Sequence, residues 1–129
     1  MDNSSLEAAI TKMIELTQSK KIKWETINLR RENICCQTYV ENIGHAMIAT
    51  ISVNNQEKSF SLYRYSYRFF TEDDYDEYTI CEDTQLDFCD PITYNTIWSF
   101  PASSLIPKLY ETAIIQSEGI DDFINSFLE

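Results

Sequence analysis

Glycine is nearly absent from this chain, at two residues in 129. A glycine-rich phosphate loop is therefore excluded. Histidine occurs once, as His45. Acid–base and nucleophilic catalysis usually needs a histidine, lysine or poised carboxylate beside the reacting group, and no G-x-S-x-G, H-E-x-x-H or P-loop pattern is present. From Phe69 to Pro107 there is no Lys, Arg or His. No apolar run approaches the roughly 18–20 residues that cross a bilayer. The opening MDNSSLEAAI is polar and acidic, with no signal-peptide core after it. These absences predict a cytoplasmic protein that is not an enzyme and does not enter a membrane.

Enough apolar material is present for one domain over residues 1–129: 43% of the chain is hydrophobic and 13% aromatic. A chain of this length needs no disulfide or metal to stand alone. Four cysteines, Cys35, Cys36, Cys81 and Cys89, are expected as free thiols in a reducing compartment. There is no C-x₂-C pair, and only one histidine accompanies them, so neither a zinc site nor any other cofactor is predicted.

Charge is the most informative bulk property. The net charge is −11, and it is unevenly placed. Residues 1–68 carry nine Lys/Arg against seven Asp/Glu, whereas residues 69–129 carry one Lys against fourteen Asp/Glu. Such a field repels nucleic acid and anionic lipid and attracts basic surfaces. Direct nucleic-acid binding is not expected.

Along the chain, Leu6, Ile10, Met13, Ile14 and Thr17 recur at helical spacing, and Ser4 with Glu7 fits a capping box. They predict a helix at about 5–19. Ile22, Trp24 and Thr26 alternate with charged residues as a short strand. Ile34–Val40 and Ala46–Val53 read as two further strands, split by a turn at Asn42-Ile43-Gly44. Asn54-Asn55 fits a tight hairpin. It leads into SFSLYRYSYRFF, where Tyr63, Tyr65, Tyr67 and Phe69 share one face and Arg64, Ser66 and Arg68 the other. Thr71–Glu77 is charged enough to read as a loop, with a fifth strand from about Tyr78. Trp98 and Phe100 suit core anchors. Ser103 or Ser104 can cap a helix bearing Leu105, Leu109, Ala113 and Ile114, with Pro107 in its first turn. Gly119 would end it. A last short helix carries Phe123, Ile124, Phe127 and Leu128. The expected class is α+β: an N-terminal helix, an antiparallel meander of about five strands, and a C-terminal helix pair on one sheet face.

This order, with Lys21-Ile22-Lys23-Trp24-Glu25, Leu109-Tyr110-Glu111 and Gly119-Ile120-Asp121, resembles a loose group of small uncharacterised bacterial and mobile-element proteins. The resemblance implies the fold and points to immunity or anti-defence roles.

The main candidate surface is the acidic stretch, where nine acids fall between Glu72 and Asp90 with no base among them. Glu72, Asp73, Asp74, Tyr75, Asp76, Glu77, Tyr78, Glu82, Asp83 and Asp87 are the residues singled out. One reading is a solvated loop that maintains solubility; another is an irregular calcium site, although the EF-hand pattern is absent. The third is a surface for a basic protein or nucleic-acid-handling partner, because tyrosines beside carboxylates combine contact area with steering. The tyrosine stripe is expected to lie in the core under the helices, or else to form an exposed face for homodimerisation. The function expected is therefore that of a small acidic binding protein that inhibits or regulates a basic macromolecule. The alternative is a self-associating assembly module.

Overall fold

The computed structural model describes residues 2–34, 39–71 and 74–129, with the side chains of residues 71 and 74–76 excepted. Helix α1 (Asn3–Gln18) is followed by strand β1 (Glu25–Ile27), a 3₁₀ turn at Arg31–Asn33, and the strands β2 (Tyr39–Val53), β3 (Gln56–Thr71), β4 (Asp74–Cys89) and β5 (Thr96–Ser99). Helices α2 (Leu105–Ser117) and α3 (Ile120–Leu128) close the chain. The strands form one antiparallel sheet in sequence order, with α1 and α2 on one face and α3 against α2. This is the α+β meander that the sequence predicts.

Helix α1 starts earlier than the capping-box spacing suggests. The cap is Asp2, whose carboxylate accepts the Ser5 N–H at 2.8 Å; that bond holds the Asp2 carboxyl below its usual range. Ser4 lies inside the helix. The apolar face buries Ile10 and Met13, and the fully buried Thr17 follows. Its hydroxyl donates to the Met13 carbonyl at 2.7 Å and accepts Trp24 Nε1–H at 3.1 Å. Trp24 thus anchors helix to sheet from within the main core. Ile22 and Trp24 are buried but precede β1, because the Gln116 side chain of α2 takes the place of a neighbouring strand. Its Oε1 accepts the Trp24 N–H at 3.0 Å, and its Nε2 donates to the Ile22 carbonyl.

The turn predicted at Asn42-Ile43-Gly44 is not a turn. Strand β2 runs through it, with register irregularities between Val40 and Asn42 and between Ile43 and Ala46. Long, uninterrupted β3 supplies a continuous partner, so the extra residues are absorbed as bulges. Gly44 suits this close approach, since a Cβ there would lie 3.3 Å from the Arg64 carbonyl oxygen. Residues 35–38 of the other predicted strand lie outside the described residues. The Asn54-Asn55 hairpin is as expected, with φ of 51° and 65°, the left-handed pair a type I′ turn needs.

The loop predicted at Thr71–Glu77 is overturned for Thr71 and for 74–77, which lie in strands; Glu72 and Asp73 lie outside the described residues. Thr71 pairs with Asp74 at the end of the β3–β4 ladder, and Glu77 lies within β4. Charge alone does not prevent a strand when a β-rich neighbour supplies the ladder and the side chains have solvent to enter.

Even-numbered residues of β3 and β4 face the helices. Phe60, Leu62, Leu86 and Phe88 join Met47, Ala49, Ile106 and Leu109 in the main core, where each fully buried aliphatic side chain contributes about 1.5–3 kcal/mol. The odd-numbered tyrosine stripe is on the other face, not under the helices as expected. Parity groups the tyrosines but does not say which side the helices take. Tyr63 and Tyr65 instead pack in a smaller cluster with Leu29, Ile34, Val40, Ala46 and Tyr94. The loops that cover this cluster are tied together by Asn33, whose Nδ2 donates to the Thr93 carbonyl at 3.0 Å and to Asn95 Oδ1 at 2.8 Å.

Candidate functional site

The helix layer ends near Arg64, whose guanidinium lies 4.9 Å from the centre of the Tyr110 ring. From the pair Arg64↔Thr84 to the pair Phe70↔Tyr78 the β3–β4 hairpin continues six residues further. At strand rise this is about 20 Å of ribbon beyond the helices. The ribbon and the start of β2 beside it carry exposed aromatic and aliphatic side chains: Tyr39 of β2 is 71% exposed, Phe69 60%, Ile80 51% and Tyr78 45%.

On the helix side of this ribbon the rings are organised. Tyr39 meets Phe70 edge-on at 5.5 Å, and Phe70 meets Tyr78 at 5.6 Å. Arg68 spans them, its guanidinium 4.6 Å from the Tyr78 ring centre and its Nε donating to Glu41. Such a cluster is held by its own contacts before any partner arrives, which lowers the ordering cost of binding. On the opposite side Tyr65 and Tyr67 lie 5.6 Å apart, and the Tyr67 hydroxyl donates to Asp83 at 3.2 Å. Desolvation and the Asp83 carboxylate raise the Tyr67 pKa.

Strand alternation divides the predicted acidic surface. Tyr78 and Glu82 lie on the helix side and Asp83 on the other, as their pairing with β3 requires; Glu77 is exposed in β4 just past the last regular pair. Asp74, Tyr75 and Asp76 belong to β4, though their side chains are outside the description; Glu72 and Asp73 are wholly outside it.

Asp87 does not belong to the surface. It is fully buried. One carboxylate oxygen accepts the Tyr63 hydroxyl at 2.7 Å and the Thr96 hydroxyl at 2.9 Å. Its position opposite Ser61 lies where β5 and the small cluster cover the sheet, so it braces the sheet from inside. Tyr39, Glu41, Arg68, Phe70 and Ile80 are members of the surface that sequence reasoning missed. The signal available was the run Phe69-Phe70 at the end of an alternating strand, which puts one ring on each face.

Other parts of the molecule offer less chemistry. His45 Nε2 lies 3.9 Å from Glu118 Oε1 and 3.4 Å from the Thr26 hydroxyl. Among the described residues no three His, Cys, Asp or Glu side chains converge as a metal site. A cleft of about 490 Å³ separates the end of α1 from α2 and α3, and several of its polar groups are already engaged. Lys20 bonds Asp122 at 2.9 Å across it, which raises the Lys20 pKa, and Gln116 is fastened to the Ile22–Trp24 backbone. Helix α3 turns Phe123, Phe127 and Leu128 to solvent. No described helix is long and apolar enough to cross a membrane.

Comparison of the chain with protein-family models, with curated proteins and with solved structures gives no match.

Proposed function

We propose that this chain acts by binding, as a small acidic protein that inhibits or regulates a basic macromolecule. The observation that carries the reading is the ribbon beyond the helices, where Tyr78, Ile80 and Tyr39 stand exposed beside Glu77, Glu82 and Asp83. The local cations do not offset these acids, since Arg68 is bound by Glu41 and Arg64 lies over Tyr110. Carboxylates steer a basic partner into contact, and desolvated rings hold it. A toxin nuclease, a nucleic-acid enzyme or a host defence factor has the required basic surface, in a groove built for phosphates. Immunity, anti-defence and nucleic-acid mimicry are the corresponding roles. We place the protein in the cytoplasm, where Cys81 and Cys89, both free, stay reduced.

The test uses the partner that co-purifies from the native host. Replacing Glu77, Glu82 and Asp83 with their amides slows association by about tenfold or more at low salt, and added salt narrows the gap. Tyr78→Ala speeds dissociation instead. Parental association rates for the amide variant at every salt concentration would remove this surface from the binding site.

The second reading, self-association through a sheet face, is favoured by the position of Tyr67 and Phe69 opposite the helices. It requires concentration-dependent dimers in sedimentation, abolished by Phe69→Ser.

A further inference from the structure

Strand β4 has β3 along one side, but β5 covers the other side only at Asp87–Cys89. From Tyr78 to Thr84 its outer side pairs with no strand among the described residues. The direction of the backbone there follows from a single bond. The Phe100 N–H donates to the Leu86 carbonyl at 2.9 Å, so Leu86 turns its peptide groups outward. In an antiparallel ladder the N–H and C=O of one residue point to the same side, and successive residues alternate. The β3–β4 register has no irregularity between Phe60↔Phe88 and Phe70↔Tyr78. Thr84, Glu82, Ile80 and Tyr78 therefore present their N–H and C=O groups to the open edge, and the residues between them bond to β3.

Exposed edges are normally blunted by brevity, proline or charge. Strand β4 is 16 residues long and contains no proline. Its acids do discourage a second copy, because β4 against β4 would set carboxylates beside carboxylates with no cation in either strand. They do not discourage a strand of opposite charge. Tyr78 and Ile80, both exposed on one face of this edge, work against blunting and suit an apolar neighbour.

We propose that an extended, basic segment of the partner completes this edge as a further strand, hydrogen-bonded to β4 from Tyr78 to Thr84. Its apolar side chains lie on Tyr78 and Ile80, and its cations meet Asp83 on the other face. Main-chain bonds give such an added strand its affinity, and alternating side chains give its specificity. This rests on the reading of the chain as a binder of basic macromolecules and adds the mode of engagement.

The experiment uses the full chain and an acetylated ten-residue peptide of alternating lysine and valine. Two further versions are N-methylated, one on every valine and the other on every lysine. All three carry the same charge, and only one methylated version keeps the donors that face β4. That version is expected to bind within threefold of the parent peptide, and the other at least tenfold more weakly. On the protein side, Ile80→Pro removes an outward N–H while leaving the β3 ladder intact, as edge positions allow. It is expected to weaken binding at least tenfold, and Ile80→Ala by less than that. Hydrogen exchange supplies a readout that needs no variant: the Ile80 and Glu82 amides become protected when peptide is added. Equal binding of all three peptides, without that protection, overturns the added strand and leaves charge-driven binding standing. Absence of binding by all three also overturns it, and the amide variants against the native partner then decide the function separately. Dimers of the chain alone that protect the same amides would assign the edge to a second copy and overturn the proposal.

Discussion

Replacing Asp87 separates a structural acid from the surface acids around it. One carboxylate oxygen accepts the Tyr63 and Thr96 hydroxyls, while the other, and the Ser61 hydroxyl from the register partner, are buried without a partner among the described residues. Asp87→Ala removes the acceptor of both hydroxyls. Each such loss costs about 1–3 kcal/mol. Tyr63 is buried and Thr96 half-buried, so water replaces the acceptor for Thr96 more readily than for Tyr63. Together with the small void, the loss is about 3–4 kcal/mol. Asp87→Asn behaves differently. Its amide oxygen takes the place of the accepting oxygen, and its NH₂ takes the position of the oxygen that has no partner. The expected cost is below about 1 kcal/mol.

Urea denaturation followed by tryptophan fluorescence measures both variants, with equal slopes required for the comparison. Trp24 is buried and serves as the reporter. An Asp87→Ala variant within about 0.5 kcal/mol of the parent would refute the network. Asn as costly as Ala would show that the charge, not the hydrogen bonding, holds the site. Association with a basic partner should change by no more than about twofold in Asp87→Asn, since one buried charge among many alters the steering field little.

Three further outcomes are expected. Trp24→Ala lowers stability by about 3–5 kcal/mol in urea denaturation followed by far-UV circular dichroism, because it empties a core site and takes the indole N–H from the Thr17 hydroxyl; a loss under 1 kcal/mol would contradict the burial. Denatured protein kept from air should titrate as four free thiols. In the folded protein Cys81 reacts before Cys89, since burial pushes the Cys89 thiol up to about 11, and the reverse order would refute this. Phe127→Ser on the outward face of α3 shifts stability by less than about 0.5 kcal/mol; a larger loss in a melt would mean that another surface covers the helix.

Elements defined by local chemistry were legible in the sequence. The alternation from Ser59 to Phe70, the Asn54-Asn55 turn and the spacing around Ile10 and Leu109 each follow from neighbours close in the chain. Features set by pairing were not. Asn42-Ile43-Gly44 has turn composition, yet an unbroken β3 alongside makes it a bulged strand. Asp74, Asp76 and Glu77 suggest a loop, yet they belong to β4, which the same β3 partners. Parity identified the tyrosine stripe without saying which face the helices cover, because helix placement depends on where Trp24 and Leu109 meet the sheet. Asp87 looks like its acidic neighbours in sequence, and only its register opposite Ser61 and its reach to Tyr63 distinguish it.

The choice between a solvated acidic stretch and a binding surface changes once that stretch is a strand. A loop can carry charge for solubility with no other consequence. A strand edge with the same charge also carries a row of unpaired peptide groups, and these remain a template for any chain able to approach. Carboxylates on both sides of Tyr78 and Ile80 keep identical edges apart by repulsion. The same field draws a basic strand inward. Solubility and selectivity are thus two results of one charge distribution, and neutralising it should have two linked effects. The amide variant of Glu77, Glu82 and Asp83 should bind the basic partner more slowly and also self-associate at lower concentration. Slower binding with no rise in self-association would show that the acids steer the partner without guarding the edge.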